Sequence, residues 1–153
     1  MKFRAALLLF TLSLPAIAQM DTMDGGEAPR YRIESAIWCS GELHGQPELL
    51  LSPGVPGTFE IDGPEPESSW RLSLEVEPPG EAEGASPDSV WFEVGIEQMV
   101  DGQWEFITNT MLGTPMGKPG SVVVVEHDDP DVDPKSAPLY VELTAHRADG
   151  ADE

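Results

Sequence analysis

In the stretch WRLSLEVE, Trp70, Leu72, Leu74 and Val76 alternate with Arg71, Ser73, Glu75 and Glu77. A period of two sends successive side chains to opposite faces, so the pattern predicts a strand with one face in a core and the other in water. VWFEVGIE repeats it, with Val90, Phe92, Val94 and Ile96 on one face and Glu93 and Glu97 marking the other. LYVELTAHR sets Leu139, Val141, Leu143 and Ala145 against Tyr140, Glu142, Thr144 and His146, and RYRIESAIWC places Ile33, Ile37 and Cys39 together. Asp101-Gly102, between Met99-Val100 and Gln103-Trp104, is a hairpin signal because both residues accept positive φ. SVVVV, residues 121–125, is an unbroken run that predicts a strand buried on both faces. No segment beyond the first twenty residues keeps an apolar period of 3.6 over three turns. The expected fold is therefore all-β: a small β-sandwich, or two similar stacked β units, of seven or so strands.

The punctuation between strands repeats as well. GVPGTFEI begins at Gly54 and GKPGSVVV begins at Gly117. Pro56-Gly57 and Pro119-Gly120 each fit the centre of a type II turn, in which Pro fixes φ near −65° and Gly accepts positive φ. Such a turn twists the wrong way for a tight hairpin, so each is expected at a corner where the chain changes sheets. Leu49-Leu50-Leu51 leads into the first corner and Thr110-Met111-Leu112 into the second. A short strand, a proline- and acid-rich loop and an alternating strand follow each. Two readings stand: two halves of like topology, 30–78 and 89–148, or two unrelated Pro-Gly turns in one β domain over 30–148.

Leu49 to Gly63, containing SPGVPGTFEIDG, resembles a segment that recurs in bacterial secretins of type II and III secretion. The same segment recurs in small periplasmic proteins of gamma-proteobacteria, including tails of BlaR-type membrane peptidases. Residues 117–125 form a fainter second copy. The resemblance implies a periplasmic β module. The chain departs from the secretins in length and in lacking a long run of amphipathic membrane strands, so pore formation is not implied.

The first residues, MKFRAALLLFTLSLPAIAQ, combine Lys2 and Arg4, an apolar run and an Ala16-Ile17-Ala18 cleavage pattern, the make-up of a secretory signal peptide over 1–18. The expected location is the periplasm or outside the cell. Residues 19–29 and 149–153 are expected to be flexible. Export changes the view of the single cysteine, since Cys39 has no internal disulfide partner and fits a small buried apolar residue, an intermolecular disulfide or a reactive thiol.

The formal charge is −20, and losing Lys2 and Arg4 with the signal peptide makes the mature chain more negative. That field repels phosphate backbones and anionic lipid, so neither nucleic acid nor a membrane is an expected partner. Asp129, Asp131 and Asp133 sit at alternate positions of HDDPDVDPKSAP and could offer oxygens to calcium, although Pro134 and Tyr140 break the EF-hand pattern. Met20, Met23, Met111, Met116 and Cys39 are soft donors suited to copper(I). His44, His127 and His146 have no zinc-like spacing, and no Gly-x-Ser-x-Gly elbow or phosphate loop occurs. No cofactor is implied. Trp38 and Trp91 fall out of phase with the core faces of their strands and form a candidate exposed aromatic patch. The leading expectation is a non-catalytic module that binds an envelope protein, with its binding face on loops; the alternative is a binding protein for a metal or small ligand.

Overall fold

The alternating runs form strands that stack as two antiparallel sheets, bearing out the all-β expectation. The computed structural model describes residues 29–63, 65, 69–77, 86, 88–125 and 133–148. The expected signal peptide, residues 19–28, the tail 149–153, and Asp129 and Asp131 lie outside the described residues. The strands are β1 (Tyr31–Cys39), β2 (Glu42–Gly45), β3 (Glu48–Leu51), β4 (Gly57–Ile61), β5 (Trp70–Glu77), β6 (Ser89–Val100), β7 (Gln103–Pro115), β8 (Gly120–Val124) and β9 (Leu139–Arg147). Sheet A runs β2-β1-β9-β8 with β3 also paired to β1, and sheet B runs β4-β5-β6-β7. β2 and β3 share one edge of β1, interrupted at Gln46-Pro47, where Pro47 supplies no ladder donor. Its carbonyl instead accepts the Ser35 N–H at 3.1 Å and the Ser35 hydroxyl at 2.6 Å.

The inward faces are those that the alternation names: Ile33, Ile37 and Cys39; Trp70, Leu72, Leu74 and Val76; Val90, Phe92, Val94 and Ile96; Leu139, Val141, Leu143 and Ala145. Removing these apolar side chains from water is the main force holding the sheets together, at roughly 1.5–3 kcal/mol for each large residue fully buried. The alternation points Tyr140 toward water, yet it is only 9% exposed. A single 3-10 turn over Pro134–Ser136 explains the difference: its Lys135 ammonium lies over the Trp38 ring (4.3 Å) and the Tyr140 ring (5.9 Å). The two rings meet edge to face at 5.3 Å.

The strand order has a two-fold regularity. The β1/β2-β3 hairpin, edge strand β4 and inner strand β5 correspond to the β6/β7 hairpin, edge strand β8 and inner strand β9, and exchanging the two sets turns the order of sheet A into that of sheet B. Each hairpin turns on a pair of positive-φ residues, Ser40 (50°) with Gly41 (90°) and Asp101 (50°) with Gly102 (78°), the signs of a type I′ turn. Each corner carries the chain between sheets, from β3 to β4 and from β7 to β8.

The corner turns themselves differ from the sequence expectation. Gly57 and Gly120 are not among the positive-φ glycines; Gly54 (73°) and Gly117 (71°) are. The closing hydrogen bonds run from Val55 N–H to the Ser52 carbonyl (3.1 Å) and from Lys118 N–H to the Pro115 carbonyl (3.0 Å), so the first glycine of each phrase holds the third position. Gly57 and Gly120 open β4 and β8, each closely approached by a leucine side chain. A Cβ on Gly57 would stand 2.7 Å from Leu51 Cδ2, and one on Gly120 would stand 3.1 Å from Leu112 Cδ2. Pro56 and Pro119 precede these strands without donating to a ladder.

The valine run is a second correction. β8 pairs with β9 alone, at an edge of sheet A; Val122 and Val124 pack on the core, and Val125 is exposed. β-branched residues record a fit to extended backbone, which an edge strand satisfies as well as a central one.

Candidate functional site

Of the residues with expected chemistry, few come together. Cys39 is buried in the core, and burial pushes its thiol pKa up, which disfavours the nucleophilic thiolate. His44 faces elsewhere, onto a cleft of about 510 Å³ between β2 and β4 that it shares with Ile37, Gln46, Pro47, Phe59, Glu60 and Asp62. Cys39 is not part of that lining. Asp133 caps the 3-10 turn, its carboxylate accepting the Lys135 N–H at 3.0 Å. Among the described residues, no group of three or more His, Cys, Asp or Glu is arranged to hold a metal ion. Met116 packs half-buried against the core, while Met111 is exposed on β7. Met20 and Met23 lie outside the described residues.

Trp38 and Trp91 do not form one patch, because they stand on the outer faces of different sheets. Each outward tryptophan has its own surroundings. Lys135 covers Trp38 on sheet A. On sheet B, the Arg71 guanidinium lies 4.2 Å from the centre of the Trp104 ring. Arg71 also donates from Nε and Nη2 to Glu60 (3.0 and 2.9 Å) and from Nη1 to Glu97 (3.4 Å), so this cation is held by a ring and two carboxylates. Trp91 carries no cation from the described residues and is 44% exposed. Its ring lies over Gly113 of β7, where an added Cβ would come within 2.9 Å of it.

Around Trp91 the outer face of sheet B is acidic. Glu77 is its register partner on β5, and Glu75 stands directly opposite Glu93. Like charges opposed across strands destabilise a sheet; the Asn109 amide donating to Glu93 at 2.6 Å supplies one polar partner but no charge. The neighbouring edge strand β7 exposes Phe106 (69%), Ile107 and Met111 (49%). Within QWEFITNTMLGTP only Glu105 is charged. β7 ends the order of sheet B, and among the described residues no strand pairs with its outer side. Exposed aromatic and aliphatic side chains along β7 and at Trp91, with Glu75, Glu77 and Glu93 lacking a cation from the described residues, are thus the surface feature with the clearest chemistry. Sequence reading missed β7 as a unit, since its inward positions Thr108, Thr110 and Thr114 give no apolar signal.

No protein-family model, no curated protein and no solved structure matches the chain.

Proposed function

We propose that this chain is an exported, periplasmic, non-catalytic module that binds an envelope protein through the outer face of sheet B and the edge strand β7. The observation that carries the reading is the gathering of Trp91, Phe106, Ile107 and Met111 on two adjacent strands. They make up half of the eight large apolar side chains that are exposed among the described residues. Large apolar side chains that stay exposed along an unpaired edge strand and its neighbour mark a surface suited to a partner. Secretory character at the N-terminus and the resemblance of residues 49–63 to periplasmic β segments support the location. Unlike the loop-borne face expected from the sequence, this one lies on strands.

The double variant Phe106→Ser/Met111→Ser tests the reading. Both side chains face solvent, so the unfolding free energy should change by less than about 0.5 kcal/mol. Co-purification of an envelope protein from exporting cells should be lost. Undiminished co-purification overturns the proposal.

A second reading, a small-ligand or metal-binding protein, draws on the cleft between β2 and β4, which has an apolar floor and polar groups at its rim. Calorimetric titration with Ca²⁺ or Cu(I) separates the two, being silent for an interaction module and saturable for a metal binder.

A further inference from the structure

We infer that β7 accepts an extended, basic segment of a protein partner as an added antiparallel strand, whose arginine or lysine side chains lie over Trp91 and between the glutamates of sheet B. The inference rests on the proposed interaction surface and names its mode and its partner's chemistry.

The first support is the edge. The other edges of the sandwich are blunt: β4 and β8 have five residues each, and the β2-β3 edge is split by Pro47 and carries Glu42 and Glu48. Short strands, prolines and charges are the usual protections against strand addition. β7 has 13 residues, one charge and no internal proline, and its outer side is unpaired among the described residues. The two-fold regularity makes β2-β3 its counterpart, so the same topological position is protected in one half and open in the other. A bulge at Ile107 is the single irregularity in its pairing with β6.

The second support is charge complementarity with two worked examples in the molecule. Trp38 and Trp104 each hold a cation supplied by the chain itself, Lys135 and Arg71. Trp91 is the outward tryptophan without one, and it is the one beside Glu77, Glu75 and Glu93. Because its ring lies over Gly113, it reaches toward the β7 edge with no side chain between. A strand added to β7 would run roughly 10 Å from β6, two strand spacings away. An arginine and a glutamate close that gap between them. A cation placed there meets the Glu93 carboxylate and an aromatic face, and so offsets the charge that Glu93 turns toward Glu75 on β5. A second copy of this chain fits less well, since it would bring a second strongly negative chain to the same acidic face.

The test uses the full exported chain and synthetic ten-residue peptides in which arginine alternates with threonine, binding being read from tryptophan fluorescence and by calorimetry. Saturable binding is expected, weakening at least tenfold between 50 and 500 mM salt, as the loss of charge pairing requires. A glutamate-threonine peptide should not bind. Two further peptides carry backbone N-methyl groups on one or the other alternate set of residues. Since only every second N–H of an added strand faces its neighbour, one of the pair should lose binding at least tenfold and the other should keep it. Glu75→Gln/Glu93→Gln should weaken binding three- to tenfold. Equal binding of both methylated peptides would overturn strand addition while leaving the surface reading intact. Absence of any basic-peptide binding, with the envelope partner still captured by the unaltered chain, would overturn the partner chemistry alone. A concentration-dependent dimer that Phe106→Ser/Met111→Ser abolishes would identify the second copy as occupant and overturn the proposal.

Discussion

Substitution at Gly117 isolates the backbone conformation of the second corner from every other contribution to stability. Gly117 has φ of 71°, and a Cβ built on it meets nothing within 4 Å, so no clash can account for a cost there. An L-residue in the left-handed region costs roughly 1–2 kcal/mol, which the narrower unfolded ensemble of alanine offsets by about 0.4–1 kcal/mol. Gly117→Ala should therefore destabilise by about 1 kcal/mol and the β-branched Gly117→Val by about 2 kcal/mol. Gly117→Asn should cost less than alanine, because asparagine tolerates this region. For a domain of this size, 1 kcal/mol moves Tm by roughly 3–5 °C. Urea unfolding followed by tryptophan fluorescence, to which the buried Trp70 contributes, gives the free energies directly. Gly120 supplies the contrast: its φ is ordinary, and alanine there must displace Leu112 Cδ2 at 3.1 Å. Its cost should shrink in a Leu112→Ala background, whereas that of Gly117→Ala should not. A harmless Gly117→Ala, or an asparagine variant as unstable as the valine one, would refute the assignment of positive φ to the first glycine of each phrase.

Cys39 and Gly113 yield two more expectations. The Cys39 thiol should resist aromatic disulfide reagents in the native protein and react once urea unfolds it. Its folded pKa is raised above the ordinary 9.0 by desolvation, so the stability linked to it is complete below pH 9 and is lost as pH rises through the higher folded value. Cys39→Ala should accordingly flatten the alkaline fall in stability, and an unchanged alkaline slope would contradict the burial. Gly113→Val places side-chain atoms against the Trp91 ring, 2.9 Å from the new Cβ. The ring should be displaced, with a red-shifted emission and a loss of roughly 1–3 kcal/mol; an unchanged spectrum would contradict the packing.

Much of this fold is legible because three strands, β5, β6 and β9, alternate so regularly that Leu72, Phe92 and Val141 could point only inward. Asp101-Gly102 announces its hairpin through the φ signs that its residues tolerate. The corners are legible as corners, but the register of their turns is not. Ser52-Pro53-Gly54-Val55 and Val55-Pro56-Gly57-Thr58 both place proline second and glycine third, and local chemistry does not choose between overlapping windows. Tertiary packing enters here, since Leu51 and Leu112 lie against the space that Gly57 and Gly120 leave. β7 stays hidden for two reasons. The bulge at Ile107 shifts the alternation midway, and threonines stand where apolar residues mark the core side of other strands. The surface site is half-legible: the phase of Trp91 gives its direction, but only the register shows that Glu75 meets Glu93 and that Trp38 lies on the other sheet.

Site-specific photo-cross-linking in cells that express the full chain probes the proposed binding face directly, whatever the identity of the partner. A photoreactive amino acid is placed at Phe106 or Met111 on sheet B and, in separate strains, at Leu43 or Leu50 on sheet A, which are comparably exposed. Discrete adducts of higher mass are expected from positions 106 and 111, with none from 43 and 50. Adducts from positions 43 and 50 alone, or from none of the four, would contradict a binding face on sheet B.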